Sequence, residues 1–222
     1  MAKKLNITAV CGWAIPEQWF SGLVEKSFPG AYVRAIYPAR PQDKSEARTL
    51  IEALPCDIYI GHSLGCLWLL YHKELLPDAT AKIMLAPIFG CADNDTGSNI
   101  PPSQVKNLVR QIKNHPDYAP YIFDFFKYCG MDVPNSSTQN NQDRETLLKG
   151  LEFLLGFSAH SIPLHDCICL VGDADALLDS EKLKIFVPQL NIIRGAGHGP
   201  EKLLAALAKF RIFTDPDKHL NV

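Results

Sequence analysis

A pentapeptide in the first third of the chain places a serine in a setting suited to nucleophilic chemistry. The segment Gly61–Gly65 reads Gly-His-Ser-Leu-Gly, the pattern G-x-S-x-G, and lies between an apolar run and an apolar stretch of helical character. In a strand–turn–helix context, this pattern exposes the serine hydroxyl at the carboxyl end of a strand, above a helix N-terminus. A hydroxyl there can attack a carbonyl carbon while backbone N–H groups stabilise the developing negative charge. We therefore predict that Ser63 is a nucleophile for acyl transfer.

A nucleophilic serine needs a base, and the base needs an acid that orients it. His198 is the predicted base, because it alone among the seven histidines combines a position after an apolar run, flanking glycines and a place downstream of Ser63. The acid is expected among Asp173, Asp175 and Asp179, which follow another apolar run. If the sheet is parallel, these loops meet at the sheet edge that carries the serine.

Two backbone N–H groups should form an oxyanion hole. One belongs to Leu64, the residue after the predicted nucleophile, and the other is expected in the loop after the first strand. That loop is Cys11–Ala14, and we assign the second donor to Trp13, whose indole would also line the substrate pocket. Cys66 is a competing nucleophile by residue type, but its position one helical turn after Ser63 predicts packing against the sheet.

Short apolar runs alternate with amphipathic stretches along most of the chain. The runs that we predict to be strands are Leu5–Val10, Ala31–Ile36, Asp57–Ile60, Lys82–Ala86, Cys167–Val171 and Leu190–Ile193. The stretches that we predict to be helices are Pro16–Ser27, Lys44–Leu54, Leu64–Leu76, Asp179–Phe186 and Glu201–Phe210. Runs rich in Val and Ile are typical of parallel strands that are covered on both faces. The alternation predicts an α/β fold with a mostly parallel sheet and helices on both faces.

The alternation breaks between about residues 90 and 162, where the sequence shows no strand pattern. This segment contains the predicted helices Ser103–His115, Tyr118–Cys129 and Arg144–Leu155. A polar stretch, Asn135–Gln142, predicts a mobile loop within it. We expect one domain over residues 1–222, with residues 90–162 inserted after the fourth strand as a helical lid.

The chain resembles the α/β-hydrolase superfamily over its whole length, and within it most closely the pimeloyl-acyl-carrier-protein methyl ester esterases of biotin synthesis. The matching segments are Cys11–Trp13 followed by Trp19 and Phe20, then Gly61–Gly65, Gly150–Leu154 and Gly197–Pro200. The resemblance implies an α/β-hydrolase fold and the order serine, acid, histidine along the chain. It favours Asp175 as the acid, with Asp173 as the alternative. It also implies an acyl ester substrate and an acyl carrier protein as partner.

Two features depart from that family's pattern. The chain begins at what would be the third strand of the family's sheet, which predicts a trimmed N-terminus. The loop Tyr37–Pro41 also lacks the glycine-rich turn that is common after the next strand. We therefore expect a trimmed relative.

One face of the predicted helix Ser103–His115 carries a basic stripe. Lys106, Arg110 and Lys113 occur at i, i+4 and i+7, so they share that face. A basic stripe on a lid suits the docking of an acidic carrier protein, the partner that the resemblance implies. The solvated face of an amphipathic helix would show the same pattern.

The next predicted helix contains a cluster of aromatic residues. Phe123 and Phe126 are the candidates for contact with the substrate, and Phe125 and Tyr128 lie beside them in the sequence. Such a cluster lines an acyl channel or packs the core of the lid, and the sequence leaves both interpretations open.

Composition excludes several classes of function. A formal net charge of -2 over 222 residues gives the protein no overall positive charge that would attract nucleic acid. No apolar run approaches the about 18 residues of a membrane span, and no signal peptide pattern occurs, so we expect a cytoplasmic protein without membrane insertion. The seven cysteines are odd in number and irregularly spaced, which favours free thiols. Cys167 and Cys169 lack a second ligand pair, and we expect no metal and no cofactor.

The predicted chemistry leaves three hypotheses open. The first is a carboxylesterase that acts on an acyl chain, with the methyl ester of a carrier-bound dicarboxylate as substrate. The second is a general carboxylesterase or thioesterase without a carrier partner. The third is a hydrolase-fold binding protein that has lost catalysis, against which the intact set of Ser63, Asp175 and His198 argues.

Overall fold

Six parallel strands form one sheet in the computed structural model, which describes residues 4–53, 56–78, 80–91, 97–133, 143–159 and 162–208. The strands are β1 (Asn6–Val10), β2 (Tyr32–Ile36), β3 (Ile58–His62), β4 (Ala81–Leu85), β5 (Cys167–Gly172) and β6 (Asn191–Ile193). Their order across the sheet is β2-β1-β3-β4-β5-β6, and every neighbouring pair is parallel. The predicted parallel sheet is confirmed.

Helices cover both faces of this sheet, as the sequence predicts. They are α1 (Glu17–Ser27), α2 (Lys44–Glu52), α3 (Leu64–Tyr71), α4 (Pro102–Asn114), α5 (Ala119–Tyr128), α6 (Arg144–Gly156), α7 (Ser180–Phe186) and α8 (Pro200–Leu207). Helices α1 and α8 pack against each other, whereas α3 packs against β1, β3 and α6. The strand and helix alternation therefore builds the expected α/β architecture.

The elements that lead into and out of Ser63 are buried from all sides. Every residue of β3 is buried, and so is each residue of α3 from Leu64 to Leu70. A helix that is covered all round needs no polar face, which explains the uninterrupted apolar sequence after the serine. The helix is shorter than predicted, because His72 leaves the helical conformation at φ −105° and ψ 22° and a 3₁₀ turn over Lys73–Leu75 follows.

Helices α4, α5 and α6 lie between β4 and β5, where the sequence predicts a helical segment. Helix α4 packs against both α5 and α6, and α6 packs against α3. The predicted loop Asn135–Gln142 lies outside the described residues, and the lid role of this segment stays a prediction. Within the described part of the chain, no helix has the length and apolar composition that a bilayer span requires.

An ion cluster joins β4 and β5 at the sheet edge opposite Ser63. Asp166, directly before β5, accepts hydrogen bonds from Lys73 Nζ at 2.9 Å and from Lys82 Nζ at 3.2 Å. Lys82 lies in β4 and is buried. Burial alone would raise the pKa of Asp166, but the hydrogen bonds from the two ammonium groups outweigh it and lower the pKa to about 2. The cluster thus ties the start of β5 to its neighbouring strand.

Substitution Asp166→Asn should lower the free energy of unfolding at pH 7 by about 1 kcal/mol, since the ion pairs are partly exposed to solvent. The pKa of Asp166 is lower in the folded protein than its ordinary value of 3.8, so the stabilisation is complete above that value. It is lost as the pH falls toward 2. Urea unfolding at pH 7 and pH 3 should therefore show a smaller difference between wild type and Asp166→Asn at pH 3.

The matched control for that experiment is Glu52→Gln. Glu52 contacts Arg48 Nε at 3.9 Å, and both side chains are exposed. We expect little change in the free energy of unfolding at either pH, because exposed pairs of this kind contribute little. A difference for Asp166→Asn that is as large at pH 3 as at pH 7 would show that the carboxylate charge is not its source.

Candidate active site

The serine of the G-x-S-x-G segment occupies a strained turn between β3 and α3. Ser63 has φ 52° and ψ −115°, a backbone conformation that non-glycine residues rarely adopt. Its N–H donates to the carbonyl of Leu85 at the end of β4 at 3.0 Å. A Cβ atom on Gly65 would collide with the carbonyl of Val10, and one on Gly61 would lie 2.9 Å from a backbone nitrogen of α3. The two glycines therefore allow the close packing that this turn requires.

The carboxyl ends of β3, β5 and β6 bring Ser63, Asp175 and His198 together. The distance from His198 Nε2 to Ser63 Oγ is 2.9 Å. On the other side of the ring, His198 Nδ1 lies 2.9 Å from Asp175 Oδ2 and 3.0 Å from Oδ1. Because an ionised carboxylate only accepts, Nδ1 carries the proton and Nε2 is left to accept from the serine hydroxyl. This arrangement can deprotonate Ser63.

Backbone donors hold the Asp175 carboxylate in place. Its Oδ1 accepts hydrogen bonds from the N–H groups of Leu177 at 2.8 Å and Leu178 at 3.1 Å. The other two candidate aspartates bond elsewhere. Asp173 is exposed and accepts from Gly195 N at 2.6 Å, and Asp179 accepts from Lys182 N at the start of α7. Of the three, the structure brings Asp175 to the imidazole.

The loop after β1 and the start of α3 lie side by side at the candidate oxyanion position. Trp13 and Leu64 both line the cavity that Ser63 faces. Among the described residues, no acceptor is bound to the backbone N–H of either one. The indole Nε1 of Trp13 donates to the carbonyl of Leu147 in α6 at 2.9 Å, which anchors this loop to the helical segment. The oxyanion role of the two N–H groups stays a prediction.

A largely apolar cavity of about 320 Å³ opens beside Ser63. Residues of the sheet edge, the β1 loop and the helices α4, α5 and α6 form its wall. The lining residues are Trp13, Ser63, Leu64, Ile88, Ile100, Gln104, Val105, Leu108, Gln111, Tyr121, Asp124, Phe125, Tyr128, Leu151, Leu154 and Leu177. This volume lies at the lower end of the range for small-molecule sites, and the wall suits an aliphatic chain.

Of the four aromatic candidates on α5, Phe125 and Tyr128 line the cavity, and Phe123 and Phe126 do not. Phe123 is 48% exposed and Phe126 is 2% exposed, so one faces solvent and the other packs in the core. Neither lines the cavity. The cavity face of α5 instead carries Tyr121, Asp124, Phe125 and Tyr128, at i, i+3, i+4 and i+7. That spacing is the signal in the sequence that groups them on one face of the helix.

The predicted basic stripe lies on the outer surface of α4. Lys106, Arg110 and Lys113 are exposed, and none of them lines the cavity. Arg110 Nη2 donates to Asn107 Oδ1 of the same helix at 2.6 Å. The cavity face of α4 is formed by other residues, so the stripe cannot contact a substrate inside the cavity. Its role in binding a partner stays a prediction.

Comparison with known proteins gives structural matches without sequence matches. No protein-family model matches the chain, and no curated protein matches it. An esterase from Exiguobacterium antarcticum is similar with a TM-score of 0.71 at 14% identity, over 93% of this chain and 91% of that one. A hydrolase from Oleispira antarctica gives 0.67 at 11% over 93% and 87%, and a monoacylglycerol lipase from Paleococcus ferrophilus gives 0.57 at 16% over 91% and 92%. The chain has the α/β-hydrolase fold, as predicted.

Proposed function

We propose that this protein is a serine carboxylesterase that hydrolyses an acyl ester. The observation that carries the proposal is the unbroken hydrogen-bonded chain from Asp175 through His198 to Ser63, which ends at the wall of an apolar cavity. Ser63 attacks the ester carbonyl, and His198 takes the hydroxyl proton and passes it to the departing alcohol. Water, activated by the same imidazole, then hydrolyses the acyl-enzyme and releases the acid.

The N–H groups of Leu64 and Trp13 are the donors that we propose for the oxyanion. Leu64 is the first residue of α3, where the N–H groups have no partner within the helix and the helix dipole favours negative charge. Trp13 is anchored to α6 by the bond from its indole to the Leu147 carbonyl, and Gly150 leaves room for the indole, since a Cβ atom there would lie 3.0 Å from it. Two fixed donors of this kind stabilise the tetrahedral intermediate as its charge develops.

The substrate that we propose is the methyl ester of pimeloyl-acyl-carrier-protein, and the pathway is biotin synthesis. The motif resemblance supports this choice, and so does the aliphatic wall of the cavity. The exposed stripe of Lys106, Arg110 and Lys113 lies on α4, which also lines the cavity. An acidic carrier protein bound to that stripe would hold its acyl chain near the cavity. The helices α4, α5 and α6 then act as a lid.

Complementation tests this function directly. Wild type and Ser63→Ala are expressed in a biotin-requiring strain that lacks its pimeloyl-ester esterase, and growth without biotin is measured. We expect growth with wild type alone. If folded wild type fails to restore growth but hydrolyses short p-nitrophenyl esters, the esterase proposal stands and the biotin assignment is wrong.

A general carboxylesterase or thioesterase without a carrier protein is the second candidate. The similar solved structures are named as an esterase, a hydrolase and a monoacylglycerol lipase. Arg110 of the stripe also donates a hydrogen bond to Asn107 of the same helix. Such a bond is typical of the solvated face of an amphipathic helix. Hydrolysis of short esters by a protein that fails to complement would select this candidate.

Reversing the charge of the stripe separates the two candidates. In the triple variant Lys106→Glu, Arg110→Glu, Lys113→Glu, we expect kcat/KM for the carrier-bound ester to fall about tenfold at low ionic strength, because electrostatic attraction to the acidic carrier is lost. Hydrolysis of p-nitrophenyl butyrate should be unchanged, since the stripe lies outside the cavity. Both rates are measured at low and high salt.

A second triple variant with the same change in net charge is the control. It is built from exposed cations on α1, α2 and α7, outside the helical segment: Lys26, Arg48 and Lys184. We expect this variant to keep the wild-type rate on the carrier-bound ester. Equal losses in both triple variants would show that net charge, and not the stripe, governs the rate.

A further inference from the structure

The side chain of His62 lies between the nucleophile turn and the loop that carries His198. His62 is the last residue of β3 and directly precedes Ser63, and it is fully buried. Its Nε2 lies 2.8 Å from the backbone carbonyl oxygen of His198, and the centroids of the two imidazole rings are 5.3 Å apart. A carbonyl oxygen only accepts, so Nε2 of His62 carries a proton and donates it.

The other edge of the His62 ring faces the loop after β1. A Cβ atom on Gly12 would lie 2.7 Å from His62 Nδ1, so the absence of a side chain at this glycine makes room for the ring. Nδ1 is buried and has no hydrogen-bond partner among the described residues. Burial, and next the neighbouring His198, lower the pKa of His62 to about 3. The ring is therefore neutral at physiological pH and holds its single proton on Nε2.

Hydrogen bonds hold the loop around His198 at more than one point. His198 stands between two glycines in the coil that joins β6 to α8. Before it, the Ala196 carbonyl accepts from Ala174 N at 3.0 Å and Gly195 N donates to Asp173 Oδ1, but neither bond involves the backbone of His198 itself. Within the described part of the chain, the His62 side chain is the bonding partner of the His198 carbonyl. Asp175 fixes the imidazole of His198 from its far side, but it does not fix that residue's backbone.

We propose that His62 is a positioning residue, whose Nε2–H bond to the His198 carbonyl holds the base at hydrogen-bond distance from Ser63. The inference rests on the proposed function, in which His198 is the base. A single side chain, attached to the residue next to the nucleophile, sets the backbone of the base and packs against the loop that carries the Trp13 N–H. Displacement of catalytic groups by about 1 Å can lower a rate about 100-fold, so such a contact affects turnover more than binding.

His62→Phe and His62→Gln test this role by steady-state kinetics on p-nitrophenyl butyrate. Phenylalanine keeps a ring of similar size but has no donor, and we expect kcat to fall about 10- to 100-fold with little change in KM. The amide nitrogen of glutamine can reach the position of Nε2 and donate to the same carbonyl. We therefore expect His62→Gln to recover most of the lost kcat.

His72 offers a matched control. It is also fully buried, its Nε2 lies 2.9 Å from the carbonyl oxygen of Pro41, and its Nδ1 likewise has no partner among the described residues. His72→Phe should lower the melting temperature about as much as His62→Phe, yet leave kcat at the wild-type value. Equal losses of stability with kcat unchanged in both variants would overturn the positioning role.

An NMR measurement, which requires no catalysis, distinguishes failure of this inference from failure of the proposed function. Nitrogen-15 NMR of the imidazoles should show His62 as the Nε2–H tautomer with no titration between pH 8 and pH 5. In His62→Phe, the Nδ1–H signal of His198 should broaden as its loop loosens. An Nδ1–H tautomer of His62, or an unchanged His198 signal in the variant, would overturn the inference. Absence of Ser63-dependent hydrolysis in wild type would instead overturn the proposed function.

Discussion

Ser63→Ala should lower kcat for ester hydrolysis on the order of 10⁴-fold or more, while the protein stays folded. The substitution removes the oxygen that accepts the acyl group and leaves His198 Nε2 without its partner at 2.9 Å. Cys66, three residues further along the chain, cannot take its place. The thiol of Cys66 is buried, burial raises its pKa well above the ordinary value, and its Sγ bonds to the carbonyl of Leu85. The residual rate is measured on p-nitrophenyl butyrate.

A fluorophosphonate probe gives the second measurement. Wild type should be labelled on Ser63, as located by mass spectrometry of the digested protein, and Ser63→Ala should not be labelled. Cys66→Ala is the control, and we expect it to keep both labelling and hydrolysis. Folded wild type that resists the probe and hydrolyses no ester would favour the hypothesis of a binding protein without catalysis.

The arrangement of the catalytic candidates could be predicted because it follows from strand direction. Apolar runs with loops at their ends indicate parallel strands, and parallel strands bring their carboxyl ends to one edge. Ser63, Asp175 and His198 each follow such a run. Their proximity can therefore be predicted without knowing how the helices pack. Only the resemblance favours Asp175 over Asp173, because both lie in one short loop and the sequence pattern does not say which way each side chain points.

The cavity wall was harder to predict because it depends on contacts between helices that are distant in sequence. Helix α5 packs against α4, and its Phe125 contacts Trp13 edge to face, with 5.0 Å between the ring centroids. The sequence indicates an aromatic cluster but not the direction of its members, so it does not separate Phe123 and Phe126 from the residues that line the cavity. The i, i+3, i+4, i+7 pattern from Tyr121 narrows the choice, yet it cannot say which face meets the cavity.

The contact between His62 and His198 shows a further limit of sequence interpretation. All five residues of β3 are buried, so the alternation that normally separates the two faces of a strand carries no signal there. His62 therefore looks like any buried residue of a central strand. Its partner is a backbone carbonyl 136 positions away, and no side-chain pattern marks a carbonyl.

Asp175→Asn should lower kcat on the order of 10⁴-fold with little effect on folding. An asparagine can still accept through Oδ1 from the N–H groups of Leu177 and Leu178, so the loop after β5 keeps its shape. Its amide group, however, allows the other tautomer of His198, in which Nε2 carries the proton and cannot accept from Ser63. The pH dependence of kcat and the rate of fluorophosphonate labelling are measured together, because both depend on that tautomer.

Asp173→Asn is the matched control, two residues away in the same loop. Asp173 is exposed, and its Oδ1 accepts from Gly195 N, a bond that an asparagine oxygen can also make. We expect kcat to stay close to the wild-type value. A large loss in Asp173→Asn with little loss in Asp175→Asn would make Asp173 the acid. Similar large losses in both would mean that the negative charge of Asp173, and not only its bond to Gly195 N, is needed in this loop.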